Sequence, residues 1–210
     1  MSIQYIKKQY FFVIGILVVA LVFYFFFQTE TIKNYPSEGA DIIAFGDSLV
    51  YGTGASSEKK NFVSLLSVKL GKPIINLGIP GNTTADGIAR LHEIDRYKPK
   101  VVMLLLGGND RLQKISEDTT FRNLGMIIQN LQSRGAVVIV LGIRGGVLGD
   151  AYEDDFKALK SAYHTAYVPD VLDGLFGNPK LMSDVVHPND EGYSRIADKV
   201  YPILLKLTEK

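Results

Sequence analysis

Cysteine is absent from the 210-residue chain. That gap excludes a catalytic thiol, thiolate metal sites, disulfides and a lipidated cysteine together. It leaves the compartment open, because a chain without thiols tolerates either redox environment. A charge imbalance is also missing. Lys and Arg number 23 against 22 Asp and Glu, a formal net charge of +1. No basic block occurs, so the chain is expected to bind no nucleic acid. Internal repeats and low-complexity segments are lacking as well. No close Asp-x-Asp or His-x-His pair is present, which weighs against a metal-dependent phosphoester hydrolase built on Asp47, Asp110, Asp184 and His187.

One long hydrophobic run is present. Residues 10–27 are apolar or aromatic throughout apart from Gly15. As a helix they span about 27 Å, close to the hydrocarbon thickness of a bilayer. Lys7 and Lys8 precede the run, and the next cation after it is Lys33. The positive-inside rule therefore puts residues 1–9 in the cytoplasm and the rest of the chain outside. A cleaved signal peptide would have a shorter apolar core and a small-x-small cleavage site. This run ends in Tyr24-Phe25-Phe26-Phe27, so it reads as an uncleaved single-pass anchor in the cytoplasmic membrane. Residues 28–39, polar with Pro36 and Gly39, read as a tether. Residues 40–210 read as one domain, with about 170 residues enough for a sizeable core.

Within that domain the pattern alternates. Strand-like runs lie at 41–46, 73–77, 100–106, 136–141 and, less sharply, 168–172. Helical periodicity lies at 61–70, 84–97, 119–134, 151–167 and 189–207. Asn61 is placed to cap the first of these helices and Asn189 the last. Strands such as Val101-Val102-Met103-Leu104-Leu105-Leu106 are apolar on both faces, the mark of a parallel sheet covered on both sides. Five βα units predict a three-layer α/β domain.

Polar clusters follow the strands. Gly46-Asp47-Ser48-Leu49 follows the first, Gly78-Ile79-Pro80-Gly81-Asn82-Thr83 the second, and Gly107-Gly108-Asn109-Asp110 the third. Asp184-Val185-Val186-His187 comes just before the last helix. Ligands of open α/β sheets bind at the carboxyl ends of strands. Each cluster alone reads as a turn or a helix entry. Together they suit acyl transfer. The Ser48 hydroxyl needs a base, which His187 can supply. His187 needs a group to fix its tautomer, and Asp184 is the candidate. A tetrahedral oxyanion needs donors, available from the backbone N–H groups of Ser48 and Gly81 and the amide of Asn109. Asp47 reads as a loop-ordering acceptor. His92 and His164 fall in helical runs and read as surface or core residues. A nucleophile elbow of the α/β-hydrolase type would need a second glycine after Ser48, where Val50 stands.

The four clusters, in this order, resemble the signature blocks of the SGNH/GDSL hydrolases, and in particular the bacterial arylesterase and thioesterase I/lysophospholipase type. The likeness runs from about residue 41 to 207. It implies a flavodoxin-like five-stranded parallel sheet of order 2-1-3-4-5. It implies Ser48 as nucleophile, His187 as base, Asp184 as its partner, and Gly81 and Asn109 with Ser48 in the oxyanion hole. No metal and no organic cofactor are implied. In related enzymes the loop corresponding to residues 142–147 helps shape the acyl site. The expected activity is that of a membrane-anchored serine esterase acting on a small-molecule or lipid ester as a monomer. A carbohydrate O-deacetylase acting on envelope polysaccharide, with the same triad, is the alternative. A non-catalytic binding module is a third reading, which the complete set of candidate residues opposes.

Overall fold

The computed structural model describes residues 31–143 and 151–209. The expected membrane anchor, residues 10–27, lies outside the described residues. Among the described residues no helix is long and apolar enough to cross a membrane.

Five strands form one parallel sheet: β1 Asp41–Gly46, β2 Ile74–Gly78, β3 Pro99–Leu105, β4 Val137–Leu141 and β5 Ala166–Val168. Their spatial order is β2-β1-β3-β4-β5, as the resemblance implied. Every residue of β4 is buried, as is all of β3 except Lys100. This explains their unbroken apolar character, because a central parallel strand has helices on both faces. β2 is an edge strand and is only partly buried. Fully burying a side chain such as Phe45 contributes about 1.5–3 kcal/mol.

The helices are α1 Ser48–Tyr51, α2 Phe62–Leu70, α3 Thr84–Ala89, α4 Gly108–Leu112, α5 Glu117–Ser133, α6 Ala151–Tyr163 and α7 Asp190–Thr208. α2 packs against α7, while α5 packs against both α3 and α6. These two groups sandwich the sheet. The expected caps are in place. The Asn61 side chain accepts from the Ser64 N–H at 2.8 Å, and that of Asn189 from the Gly192 N–H at 3.1 Å.

The boundaries differ from expectation at three places. The run 84–97 is not one helix: α3 stops at Ala89, and a 3-10 helix follows at Leu91–Arg96. Arg90 at the junction leaves helical geometry and turns its side chain inward onto the sheet. The last strand is Ala166–Val168 rather than 168–172. Pro169 has no N–H for a ladder, and Asp170 at φ 25° turns the chain. Val171 and Leu172 are buried but belong to no strand. The helix expected over 151–167 ends at Tyr163, and His164 closes it with a left-handed φ of 51°. His164 and His92 are both exposed.

The compact unit that contains the sheet spans Ile32–Lys210. Residues 32–37 of the expected tether are tied to the base of the sheet, where the strands begin. Asn34 Nδ2 donates to the carbonyls of Gln132 and Ala136 at 2.8 and 3.0 Å. The Ser37 hydroxyl donates to the Gly135 carbonyl at 2.8 Å, and the Tyr35 hydroxyl to that of Lys206 at 3.1 Å. These bonds satisfy carbonyls at helix ends and loops that would otherwise face water. The four polar clusters lie at the other end of the sheet.

Candidate active site

β1 ends at Gly46, and the next residue starts a turn of helix. Gly46 has no room for a side chain, since a Cβ there would lie 2.2 Å from the Leu105 carbonyl oxygen. Asp47 caps α1, its Oδ1 accepting from the Leu49 N–H at 2.9 Å. Ser48 is therefore the first residue of α1. Its N–H is among those that no intrahelical carbonyl can satisfy.

His187 arrives from the far end of the chain. Its loop is held by an antiparallel bridge between Met182 and Pro188 and by the Asn189 cap of α7. The turn after α1 packs directly on this loop. A Cβ at Gly54 would lie 2.5 Å from the Pro188 carbonyl oxygen and 3.2 Å from the Cβ of His187. The buried Tyr193 of α7 adds a tie, donating its hydroxyl to the Thr53 carbonyl at 2.7 Å. The outcome is a line of three side chains. Ser48 Oγ lies 3.1 Å from His187 Nε2, and His187 Nδ1 lies 2.7 Å from Asp184 Oδ2.

Asp184 does more than meet the imidazole. Its Oδ1 accepts from the backbone N–H groups of Val186 and His187, both at 2.8 Å. Partial burial pushes its pKa up. The imidazole and the two N–H donors together outweigh that and hold it below the ordinary carboxylate range.

The second and third clusters meet beside Ser48. Ile79, Pro80, Gly81 and Asn82 form a tight turn, closed by the Asn82 N–H donating to the Ile79 carbonyl at 3.2 Å. Pro80 and Gly81 occupy its central positions, and Gly81 takes φ 82°, which a residue with a Cβ adopts only under strain. Asn109 sits in α4 and donates Nδ2–H to the Asn82 carbonyl at 2.9 Å. Ser48, Gly81, Asn109 and His187 line one cavity of about 480 Å³. Its other walls are mainly apolar, including Leu112, Ile143, Tyr152, Leu172, Phe176 and Val186. Of the glycine-rich loop at 142–147, Gly142 and Ile143 are described, and the remainder lies outside the described residues. A wider, more open hollow of about 660 Å³ lies at the base of the sheet, between residues 34–39 and Asp95–Pro99. It contains none of the four polar clusters.

Asp110 does not face the cavity. It is fully buried and accepts from the Thr84 N–H at 2.9 Å and the Thr84 hydroxyl at 2.5 Å. It ties the start of α3 to α4, so Asp47, Asp110, Asp184 and His187 do not converge. Among the described residues no group of three His, Cys, Asp or Glu is placed to hold a metal ion.

Two residues of this region carry roles that the helical period over 84–97 does not mark: Arg90, which turns inward, and Thr84, which bonds Asp110. The Thr83–Asp86 capping box that opens α3 was the available signal for the Thr84 region. An arginine inside a helical run has no sequence signal for inward pointing.

Asp47 bears out its expected role as a loop-ordering acceptor, with a consequence for stability. It is 2% exposed, and burial raises its pKa from 3.8 to about 7, against the pull of the Leu49 N–H and the His187 charge. The folded protein then binds this proton more tightly than the unfolded chain does. The stabilisation is complete below about pH 4 and is lost as pH rises to about 7, an effect on the order of a few kcal/mol. Asp47→Asn keeps an oxygen for the Leu49 N–H and cannot ionise. Urea unfolding at pH 4, 5.5 and 7.5 should show the parent losing stability across that range and the variant staying nearly level.

Residues 44–195 match the model of the GDSL-like lipase/acylhydrolase family. The chain is 30% identical over 178 residues to the esterase TesA of Pseudomonas aeruginosa, covering 79% of this chain and 88% of that one. It is also 30% identical over 177 residues to an arylesterase of Vibrio mimicus, with the same coverage. A crystal structure of TesA superposes with a TM-score of 0.75 at 30% identity, covering 80% of this chain and 99% of that one. A family match spanning most of the domain, on the sheet order and cluster order found here, establishes that this chain belongs to the GDSL-like lipase/acylhydrolase family and is a carboxylic ester hydrolase of that type.

Proposed function

We propose that the chain is a membrane-anchored serine esterase in which Ser48 is the nucleophile, His187 the general base and Asp184 the residue that orients it. The observation that carries this reading is the unbroken contact line from Ser48 Oγ to His187 Nε2 to Asp184 Oδ2, at 3.1 and 2.7 Å. Ser48 Oγ attacks the ester carbonyl as its proton passes to Nε2. The tetrahedral oxyanion is held by the N–H groups of Ser48 and Gly81 and by the Asn109 amide, whose second N–H is not used by the Asn82 carbonyl. The C–O bond to the leaving group breaks as Nε2 returns the proton to it. Water then repeats the sequence on the acyl-enzyme and frees the acid. One chain supplies every group, so a monomer suffices, and no step calls for a metal or an organic cofactor.

The cavity walls point to the acyl side of the substrate. Leu112, Ile143, Leu172, Phe176 and Val186 offer apolar surface to a hydrocarbon chain and no hydrogen bonds to a sugar. This favours an acyl ester over an O-acetylated polysaccharide. The relatives named esterase and arylesterase agree with that preference. Residues 10–27, with Lys7 and Lys8 before them, support anchoring in the cytoplasmic membrane with the catalytic domain on its outer side.

One assay tests both parts. A series of nitrophenyl esters from acetate through butyrate to decanoate is applied to washed membranes, cytosol and intact spheroplasts. The activity is expected in the membranes, reachable from outside the spheroplasts, with kcat/KM higher for butyrate or longer chains than for acetate. Activity confined to the cytosol would remove the anchor. A preference for acetate, together with faster acetate release from O-acetylated wall sugar than fatty-acid release from lysophospholipid, would replace the acyl-ester reading with the deacetylase.

A further inference from the structure

Arg90 is 7% exposed and lies behind the catalytic rim. Its guanidinium stacks on the Phe45 ring, 4.0 Å from the centroid. Its N–H groups reach four acceptors. Nη2 donates to the carbonyl of Gly46 at 2.7 Å and to that of Leu77 at 2.9 Å. Nε donates to the Asn82 side-chain oxygen at 2.7 Å, and Nη1 to Glu93 at 3.2 Å. Neither Arg90 nor Asn82 lines the cavity.

Three of those acceptors belong to the segments that carry the reacting groups. Gly46 is two residues before Ser48. Leu77 is the last residue but one of β2, the strand that leads into the Gly81 turn. Asn82 is the last residue of that turn, and its own carbonyl accepts from Asn109 Nδ2 at 2.9 Å. One side chain is thus bonded to the strand before the nucleophile, to the turn bearing Gly81, and through Asn82 to the amide of Asn109.

We propose that Arg90, acting through Asn82, is a positioning residue that sets the Gly81 N–H and the Asn109 amide at their working distance from Ser48. This rests on the reading of Gly81 and Asn109 as the oxyanion hole. A planar fork suits the task, because it meets several carbonyls lying in different directions with fixed geometry. A lysine ammonium has three donors but no fixed fork. The break in the predicted 84–97 helix has the same origin. Arg90 leaves α3 to reach the strand ends, and the helix stops at Ala89. Arg90 touches neither substrate nor reacting atoms, so its effect is on the transition state through donor placement.

Asn82→Ala tests this with least disturbance. It removes the Arg90 acceptor on the turn but leaves the bonds to Gly46 and Leu77, and it leaves the Asn82 carbonyl for Asn109. Expected is a fall in kcat of about tenfold, the scale of a sub-ångström misplacement, with KM within about twofold. The Ki of a trifluoromethyl ketone, whose hemiketal oxyanion occupies the same hole, should rise in parallel with the loss in kcat. The Ki of the product carboxylic acid should not move. Asn82→Asp restores an acceptor to Nε and should restore kcat. Arg90→Lys should lower kcat and melting temperature together.

Asn82→Ala with parental kcat and ketone Ki overturns the proposal. So does a loss that Asn82→Asp fails to restore, or one shared equally by product-acid binding. Should Arg90→Lys fail to fold, the two Asn82 variants decide alone. Asn109→Ala, run beside them, separates the two ideas. If it keeps full kcat, the oxyanion-hole reading itself fails. If it loses about 100-fold or more while Asn82→Ala loses nothing, only the role of Arg90 fails.

Discussion

Ser48→Ala is expected to lower kcat for a short-chain aryl ester by about 10⁵- to 10⁶-fold while leaving the protein folded. The hydroxyl faces the cavity and lies 3.1 Å from His187 Nε2. Removing it leaves no buried polar atom stranded, because Nε2 can turn to cavity water instead. Asp47 still caps α1 through its carboxylate, and the Ser48 carbonyl still accepts from the Gly52 and Thr53 N–H groups. Melting temperature should therefore change little. What is lost is the covalent route, since among the described residues no other hydroxyl is bonded to His187. Some rate above that of water should survive, because the oxyanion donors are unchanged. Three measurements check it: kcat on nitrophenyl butyrate, the thermal midpoint, and labelling by a fluorophosphonate. Labelling retained in the variant, or a residual rate within tenfold of the parent, would remove Ser48 from the mechanism.

Asp184→Asn has the next largest expected effect, a loss of about 10⁴-fold in kcat. The carboxylate meets two demands at once. Oδ1 accepts from the N–H groups of Val186 and His187, while Oδ2 faces His187 Nδ1. An asparagine has only one acceptor oxygen. If that oxygen stays on the two backbone donors, the amide N–H faces Nδ1 and forces it to accept. Nε2 then carries the proton and cannot take one from Ser48. If the amide flips, its NH₂ confronts two backbone N–H groups. Both arrangements harm the base, and the second also loosens the loop that carries it. The Asp184 side chain is 51% exposed, so the charge itself is partly screened by water. The tautomer argument does not depend on that charge. Asp184→Asn should therefore lose nearly as much as Asp184→Ala. Nitrogen NMR of His187 should show the proton moved from Nδ1 to Nε2. A loss below tenfold with an unchanged tautomer would assign Asp184 to loop structure alone.

The order of reacting groups was legible in the chain because each sits beside a strong local signal. Gly46-Asp47-Ser48 ends an apolar strand. Pro80-Gly81 specifies a turn that needs positive φ. Asn189 marks the start of α7 and so the end of the His187 loop. Backbone chemistry of this kind is written within a few residues and survives folding unchanged. The first four strands are legible for the same reason, as short runs of β-branched and aliphatic residues bounded by breakers. Elsewhere long-range contacts override local preference. Val171 and Leu172 looked like strand because they are apolar, yet Pro169 and Asp170 had already turned the chain away. Residues 84–97 kept a helical period across Arg90, yet the helix breaks where the guanidinium finds the ends of β1 and β2. Residues 28–39 read as a tether, but Asn34 and Ser37 reach carbonyls about a hundred residues away.

By itself the sequence determined the α/β layering, the place of three polar clusters at strand ends and of the fourth before the last helix, and the identity of the candidate nucleophile, base and orienting carboxylate. These depend on residue type, periodicity and turn chemistry, all of which act over short distances along the chain. Only the tertiary structure decided that Ser48 and His187, 139 residues apart, come within 3.1 Å. It alone showed that Asp110 is bonded to Thr84, that burial raises the pKa of Asp47, and that the cavity wall is mainly apolar. It alone brought Arg90 between the segments that carry Ser48, Gly81 and Asn109. Those facts depend on which side chains fill the same small volume once the sheet is closed over, and no local stretch of chain encodes that.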